Sequence, residues 1–384
     1  MRIFINALAT REGGGVTYLN QILLEWIKNN KLEIFLFGGT KILPEIHSAQ
    51  NVHCKNFSWA QKYLILRFFV EKFYFPFYLL KNKIDIAFFP NSMITGWVPA
   101  DIPKITVFQN MLAFDSDNIK KYPLGMRLRL YLLKFLYKKS YKKADYIVFI
   151  SRYAQSVIKK YLPSIQEKST VIYHGVSEIF RLDSDFNPEA YCLYVSNFDP
   201  YKHHIELISA WKIFKTSFGY VPKLKLIGFT SSYVQKIKRF ICQENLQNEI
   251  DIIESLDHKQ LPSCYEKARL IIFASSCENC PNILLEAMAS GRPILCSEFL
   301  PMPEILGSGG IYFNPSDPKS IFLALKQALL LESQHQLQNR VGHIRERSLN
   351  FSWEKNARKT LNILYEQHFQ FLAKRFQKSR GLKK

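Results

Sequence analysis

Short apolar runs of strand length alternate with segments of helical period along nearly the whole chain. The first series lies near 2–7, 33–37, 85–89, 104–108, 145–150 and 169–173. The second lies near 191–196, 223–228, 249–253, 269–274, 293–296 and 310–313. This alternation predicts an α/β protein with parallel sheets covered by helices. A length of 384 residues exceeds what one core usually serves, so two domains are expected. The boundary is placed after His174-Gly175-Val176, where the polar stretch Ser177–Glu189 has few apolar anchors. The expected division is therefore 1–176, 190–350, and a C-terminal helix with a basic tail over 351–384. The helical pattern near 353–378 carries Leu361, Leu364, Phe369, Leu372 and Phe376, and leads into the tail Lys378 to Lys384.

A formal charge of +20 calls for an anionic partner: nucleic acid, a membrane surface or a phosphorylated substrate. The opening residues Met1 to Leu8 are too short an apolar run for a secretory leader. The most apolar stretch, Tyr63 to Leu80, is broken by Arg67, Glu71, Lys72 and Pro76, so no membrane-crossing helix is expected. Seven cysteines at scattered spacings suggest reduced thiols and a cytoplasmic setting. Cys277 and Cys280 form C-x-x-C, a spacing with redox uses, but no second pair or nearby His completes a zinc set.

Three segments carry candidate chemistry. In Cys277-Glu278-Asn279-Cys280-Pro281-Asn282 running on to Glu286 and Gly291, two carboxylates stand eight residues apart after the apolar run Leu270 to Ala274. Pro281 suits the first turn of a helix and Gly291 the position past its end. Glu278 thus sits on a loop at a strand tip and Glu286 inside the following helix, where hydroxyl-rich and anionic groups can bind. Gly13-Gly14-Gly15 follows the first strand and opens a helix. Glycines there admit a phosphate or sugar close to the backbone, or simply make a tight turn. The stretch Leu193 to Glu206 reads as strand, Asp199-Pro200 turn and helix, with Lys202 at the strand mouth. A lysine there can neutralise a leaving diphosphate, although most such lysines are only solvated. His203 and His204 read as turn residues more readily than as ligands.

Together these segments resemble the retaining nucleotide-sugar glycosyltransferases of family four. The resemblance covers about residues 2 to 345, and E-x7-E with its Pro-Asn and Glu-Ala-Met-Ala context is its specific part. Gly13 to Leu19, Ile172 to Val176, Val195 to Lys202 and Pro293-Ile294-Leu295 are similar to other segments of that family. The resemblance implies the GT-B fold, two Rossmann-like domains facing across a cleft, with the C-terminal helix crossing back to the first domain. It implies that Glu286 holds the donor ribose, Glu278 the transferred sugar and Lys202 the diphosphate. Asn279, Cys280, Pro281 and Asn282 would line the sugar and phosphate pocket, and Gly14 and Gly15 would border phosphate and acceptor. No metal and no cofactor are implied; the nucleotide-sugar is a substrate of undetermined base. Two departures stand out. Asn197 occupies the region where many members carry Arg, and Gln109 and Asn110 stand on the acceptor side where many carry His.

The acceptor implied is a saccharide or a lipid-linked one, in the synthesis of cell-surface polysaccharide or lipopolysaccharide. Two stretches of the first half suit an anionic membrane surface: Trp59 to Leu80, dense in Phe, Tyr and Leu, and the cationic, aromatic-flanked Arg127 to Lys143. They place the chain as a peripheral protein on the inner face of the cytoplasmic membrane. Packed helices with a solvated basic face are the alternative. A glycosyltransferase-like protein that binds membrane or polysaccharide without catalysis is the rival function. Nucleic acid is not expected, because no nucleic-acid motif accompanies the charge.

Overall fold

The computed structural model describes residues 1–10, 13–38, 41–182, 189, 191–229, 232–333 and 336–381. The chain divides into two compact units. The first comprises Met1–Asn110, Arg129–Gly175 and Trp353–Lys384; the second comprises Met111–Leu128 and Val176–Ser352.

The first unit holds β1 (Arg2–Asn6), β2 (Glu33–Phe37), β3 (Val52–Lys55), β4 (Ile86–Phe89), β5 (Lys104–Phe108), β6 (Tyr146–Phe149) and β7 (Ser169–Val171). They form one sheet in the order β3-β2-β1-β4-β5-β6-β7, and every pair is parallel. The second unit holds β8 (Tyr191–Val195), β9 (Lys223–Gly228), β10 (Ile250–Glu254), β11 (Leu270–Phe273), β12 (Ile294–Ser297) and β13 (Ile311–Phe313). Their order is β10-β9-β8-β11-β12-β13, again all parallel. Each sheet therefore reverses its strand order beside its own first strand, between β1 and β4 and between β8 and β11. In open parallel sheets the crevice for ligands lies at the C-terminal strand ends of that reversal.

The central strands are buried almost throughout, and Ile3, Phe4, Ile5, Leu193, Tyr194 and Leu270 have no exposed surface. That explains their unbroken apolar runs. The edge strand β3, Val-His-Cys-Lys, buries only Val52 fully and was not among the expected strands. Its alternation spans too few residues to stand out.

The helix Trp353–Gly381 belongs to the first unit, as the resemblance implies. Its N-terminal half buries Trp353, Asn356, Ala357, Thr360 and Leu364, at helical spacing. Trp26 Nε1 donates to Ala357 O at 3.0 Å, and Asn356 Nδ2 to Tyr173 O at 2.7 Å. Phe369 and Phe376, expected on the same apolar face, are exposed. The basic tail beyond 381 and residues 183–188 of the 177–189 linker lie outside the described residues, as does the expected boundary at 190.

The segment 111–128 groups with the second unit, whereas a contiguous 1–176 was expected. Polar contacts to that unit's strand ends account for the difference. Ser276 Oγ donates to Asn118 Oδ1 at 3.1 Å, and Lys121 Nζ lies 3.3 Å from His203 Nε2.

Candidate functional site

The reversal in the second sheet brings together what the sequence separates. The turn after β8 carries Lys202, and the loop after the neighbouring strand β11 carries Glu278. A 3-10 turn spans Pro200–Lys202, and His203 follows in left-handed backbone at φ 54° before the helix His204–Phe218 begins. A non-glycine residue is seldom found there, and such outliers concentrate at functional sites. Tyr194 OH donates to Lys202 O at 2.9 Å, and Ser276 N–H donates to Tyr201 O at 2.9 Å. These bonds tie the lysine turn to β8 on one side and to the Glu278 loop on the other.

Lys202 Nζ is hydrogen-bonded to Glu278 Oε1, with side-chain exposures of only 10% and 14%. So little water means weak screening and a strong mutual attraction, against a heavy desolvation cost. Such a pair contributes little net stability and is suited to exchange partners with an incoming charged or hydroxylated ligand. The ammonium also stands 5.1 Å from the Tyr201 ring and 5.7 Å from the Phe273 ring. Burial raises the Asp199 carboxyl above its usual range, and the nearby Lys202 charge partly offsets it.

Eight residues beyond Glu278, Glu286 is buried on the helix Asn282–Ala289. That helix starts one residue later than expected, with Pro281 in extended backbone at the N-cap. Gly291, at φ 66°, lies just past its end as expected; a Cβ there would meet the Arg345 side chain. Glu286 Oε1 is 3.2 Å from His258 Nε2, and Tyr265 OH donates to Oε2 at 3.4 Å. His258 is raised above the ordinary imidazole value by its hydrogen bond to Glu286, against the opposing effect of partial burial. Asn279, Cys280 and Pro281 are buried along the intervening loop, while Asn282 opens the helix and is half-buried. Asn197, at the end of β8, is exposed. Beside it, Gly228 admits the Ser196 carbonyl, which a Cβ would meet at 2.0 Å.

The C-x-x-C thiols do not read as reactive. Cys277 and Cys280 are buried and unbridged, and burial pushes the Cys277 thiol well above its usual value. Among the described residues no group of three His, Cys, Asp or Glu is placed to hold a metal ion. His204 is a packing residue: wholly buried, it is pushed down to about 3 by desolvation and then by the charges of Lys202 and His203. Its ring stacks on Tyr194 at 5.0 Å and its Nε2 is 3.0 Å from Ser196 Oγ.

In the first unit the same reversal gathers a second group. Gly13, at φ 69°, caps the helix Gly14–Trp26 after β1. A Cβ on Gly15 would stand 3.4 Å from Gln109 Oε1 and 3.6 Å from Asn91 Oδ1, so the glycine leaves that corner open. Gln109 Nε2 donates to Pro90 O at 2.8 Å, and the Gln109 and Asn110 amides donate to Ser92 Oγ at 2.7 and 3.3 Å. Gly14 is exposed at the helix start. The sequence reading missed Asn91, Ser92, Asn118, Lys121, His258 and Tyr265. None belongs to a motif, and only the pairing of their strands brings them in.

Comparison with known proteins agrees with this fold. Residues 12–178 match the family described as Glycosyltransferase Family 4, and residues 177–344 match Glycosyl transferases group 1. The chain is 26% identical over 209 residues to the O-antigen chain mannosyltransferase RfbU of Salmonella typhimurium, covering 53% of this chain and 56% of that protein. It spans about half the length of the first curated relatives it matches. A glycosyltransferase of Methanocaldococcus jannaschii is 27% identical over 348 residues, 89% of this chain and 92% of its own. The crystal structure of Anabaena HepE in complex with UDP and glucose superposes with a TM-score of 0.70 at 16% identity, covering 95% of this chain and 100% of the other. Two parallel-sheet α/β units of GT-B type, an E-x7-E helix beside a lysine turn, and family matches that run from 12 to 344 lead to one conclusion: this chain belongs to the family-four glycosyltransferases.

Proposed function

We propose that the chain transfers a sugar from a nucleotide diphosphate donor to a saccharide or lipid-linked acceptor, with retention of configuration and without a divalent metal. The observation that carries this reading is the Lys202–Glu278 pair standing one helix entry from Glu286. Lys202 would meet the diphosphate, Glu278 the sugar hydroxyls and Glu286 the ribose. In the transfer, the bond from the anomeric carbon to the phosphate oxygen breaks. A bond to the acceptor oxygen forms on the same face, and the acceptor proton passes to the departing phosphate oxygen. Charge then grows on the diphosphate, where a fixed cation in a dry site is most effective. Asn197 offers no charge for this; Lys121, whose Nζ lies 3.3 Å from His203 Nε2, would be a second cation. Gly14 and Gly15 would border the donor phosphate and the acceptor, and Gln109 and Asn110 are assigned to the acceptor side.

The name of the Salmonella relative favours a mannosyl donor and a role in surface polysaccharide or lipopolysaccharide synthesis. The UDP and glucose of the Anabaena structure make UDP-glucose the second donor to test. A peripheral position at the inner face of the cytoplasmic membrane follows if the acceptor is lipid-linked.

A thermal-shift panel of UDP, GDP and ADP tests the donor site. One nucleotide is expected to stabilise the protein, by about 2.7 kcal/mol at ~100 times its dissociation constant. Lys202→Ala and Glu286→Ala should each abolish that shift. A panel without any stabiliser removes the donor reading. Nucleotide binding with no sugar transfer to lipid extracts, read by mass spectrometry, would favour the non-catalytic alternative.

A further inference from the structure

The stretch from Ser58 to Lys81 is helical except at Tyr63, whose extended backbone separates Ser58–Lys62 from a run made of Leu64–Phe69, a π-turn over Val70–Tyr74, and Phe75–Lys81. Ala60, Val70, Phe75, Tyr78 and Leu79 enter the core of the first unit. The other side is inverted relative to an ordinary surface helix. Ile65, Phe73 and Phe77 are 74%, 62% and 63% exposed, and Tyr63, Phe68 and Phe69 more than half. Soluble surfaces rarely present so many large apolar side chains together.

The charges of this stretch are sorted by sign. Its exposed charged groups are Lys62, Lys72 and Lys81. Lys62 Nζ lies 5.4 Å from the Tyr63 ring, and Lys72 Nζ lies 5.3 and 5.6 Å from the Phe68 and Phe73 rings. The one acid, Glu71, points inward. Its Oε1 accepts from Arg67 Nε at 2.9 Å, Asn6 Nδ2 at 3.0 Å and Thr95 Oγ1 at 2.6 Å. A π-turn holds one extra residue and so rotates the following face by about 100°. Here it keeps Glu71 turned inward while Phe73 and Phe77 face out.

The loop 94–97 ties a second element to this one. Trp97 N–H donates to Glu71 O at 3.3 Å, and Ile94 N–H to Ser140 Oγ at 2.6 Å. Ser140 lies on the helix Leu124–Lys143, which contains no acid. Within the first unit that helix buries Leu130, Tyr137 and Tyr141 and exposes Tyr131, Leu132 and Phe135, with Lys139, Lys142 and Lys143 also outward. Both elements thus present large apolar side chains mixed only with cations.

We propose that this face inserts its aromatic side chains into an anionic phospholipid bilayer surface, with the lysines meeting lipid phosphates. The inference deepens the membrane part of the proposed function and rests on it. Apolar tips buried at the acyl boundary and cations at headgroup level are the two requirements of interfacial binding, and an outward acid would oppose the second. Apolar insertion also differs from electrostatic adsorption in being unscreened by salt.

The experiment uses the full chain with vesicles of phosphatidylcholine, with and without phosphatidylglycerol. Of the five tryptophans, Trp26, Trp211 and Trp353 are buried, and the exposed pair, Trp59 and Trp97, belong to this face. Binding should shift their emission to the blue, and brominated lipid should quench it. Binding to anionic vesicles should persist in high salt. The variant I65S/F73S/F77S should bind at least ~10-fold more weakly, three large apolar anchors having been removed. The same variant should keep its melting temperature and the nucleotide shift of the second unit, which separates this proposal from the donor reading. Absence of vesicle binding by the parent chain overturns the proposal. So does binding that salt abolishes and the triple variant leaves unchanged, which is adsorption alone. Loss of self-association in the variant, with vesicle binding intact, assigns the face to a second copy instead and also overturns it.

Discussion

Two carboxylates of one motif behave differently at the scale of single residues. Glu278 pairs with a lysine 76 residues away in sequence, and Glu286 contacts a histidine and accepts from a tyrosine hydroxyl. The E-x7-E spacing was legible in the chain because it is local: strand, loop and helix entry follow one another. The partners were not, because Lys202 and His258 reach the motif through strand order. The His258–Glu286 contact carries a pH prediction. The folded-state value of His258 is raised above the ordinary imidazole value of about 6.5. Its contribution to stability is therefore full below that ordinary value and lost as pH rises through the raised one. The melting temperature of the parent chain should exceed that of His258→Gln at pH below 6, and the two should converge above pH 8. A constant difference across that range, followed by calorimetry, would show that the imidazole acts by packing on the Phe180 ring, 5.2 Å away, instead of by charge.

Among the elements, helix and strand existence followed from periodicity, and all six strands of the second unit lie where apolar runs predicted them. What periodicity missed was β3, too short and too polar, and the outward turn of Phe369 and Phe376. The glycines give a graded prediction about how elements are joined. Gly96 has φ 76°, and a Cβ there would stand 2.1 Å from the Glu71 carbonyl oxygen, a backbone atom that cannot swing aside. Gly291 has φ 66°, but its added Cβ would meet the Arg345 guanidinium, which can move. Gly291→Ala should cost about 1 kcal/mol, the left-handed backbone penalty alone. Gly96→Ala should cost more, about 3 kcal/mol, because the loop must leave the π-turn. Urea unfolding of both variants checks the order, and equal costs would mean that the 94–97 loop yields freely.

For the whole molecule, two Rossmann-like domains were expected; the two sheets share one strand order, with a seventh strand added in the first, and the family matches meet near 177–178, beside the division of the units at 175–176. The C-terminal helix belongs to the unit that begins the chain, through Trp26, Tyr173 and the burial of Trp353 and Leu364. A chain cut after Ser352 should therefore lose first-unit stability while its second unit still responds to nucleotide. Exposing Trp26 and its neighbours is expected to cost at least ~3 kcal/mol. Differential scanning calorimetry with and without the stabilising nucleotide reads both. An unchanged first-unit transition would show the helix to be dispensable.

The sequence by itself determined the fold class, the number of domains and the residues of the E-x7-E motif and lysine turn. Each of these is written in local periodicity or short spacing, which backbone geometry converts directly into structure. Tertiary structure decided which strands are neighbours, and so that Lys202 meets Glu278 and His258 meets Glu286. It also decided the face of the aromatic stretch. Trp59 to Leu80 is apolar nearly all round, so its pattern left open which side chains fill the core. The burial of Glu71 against Asn6, Arg67 and Thr95, with Val70, Phe75, Tyr78 and Leu79 in the core, turns Phe68, Phe69, Phe73 and Phe77 to the outside.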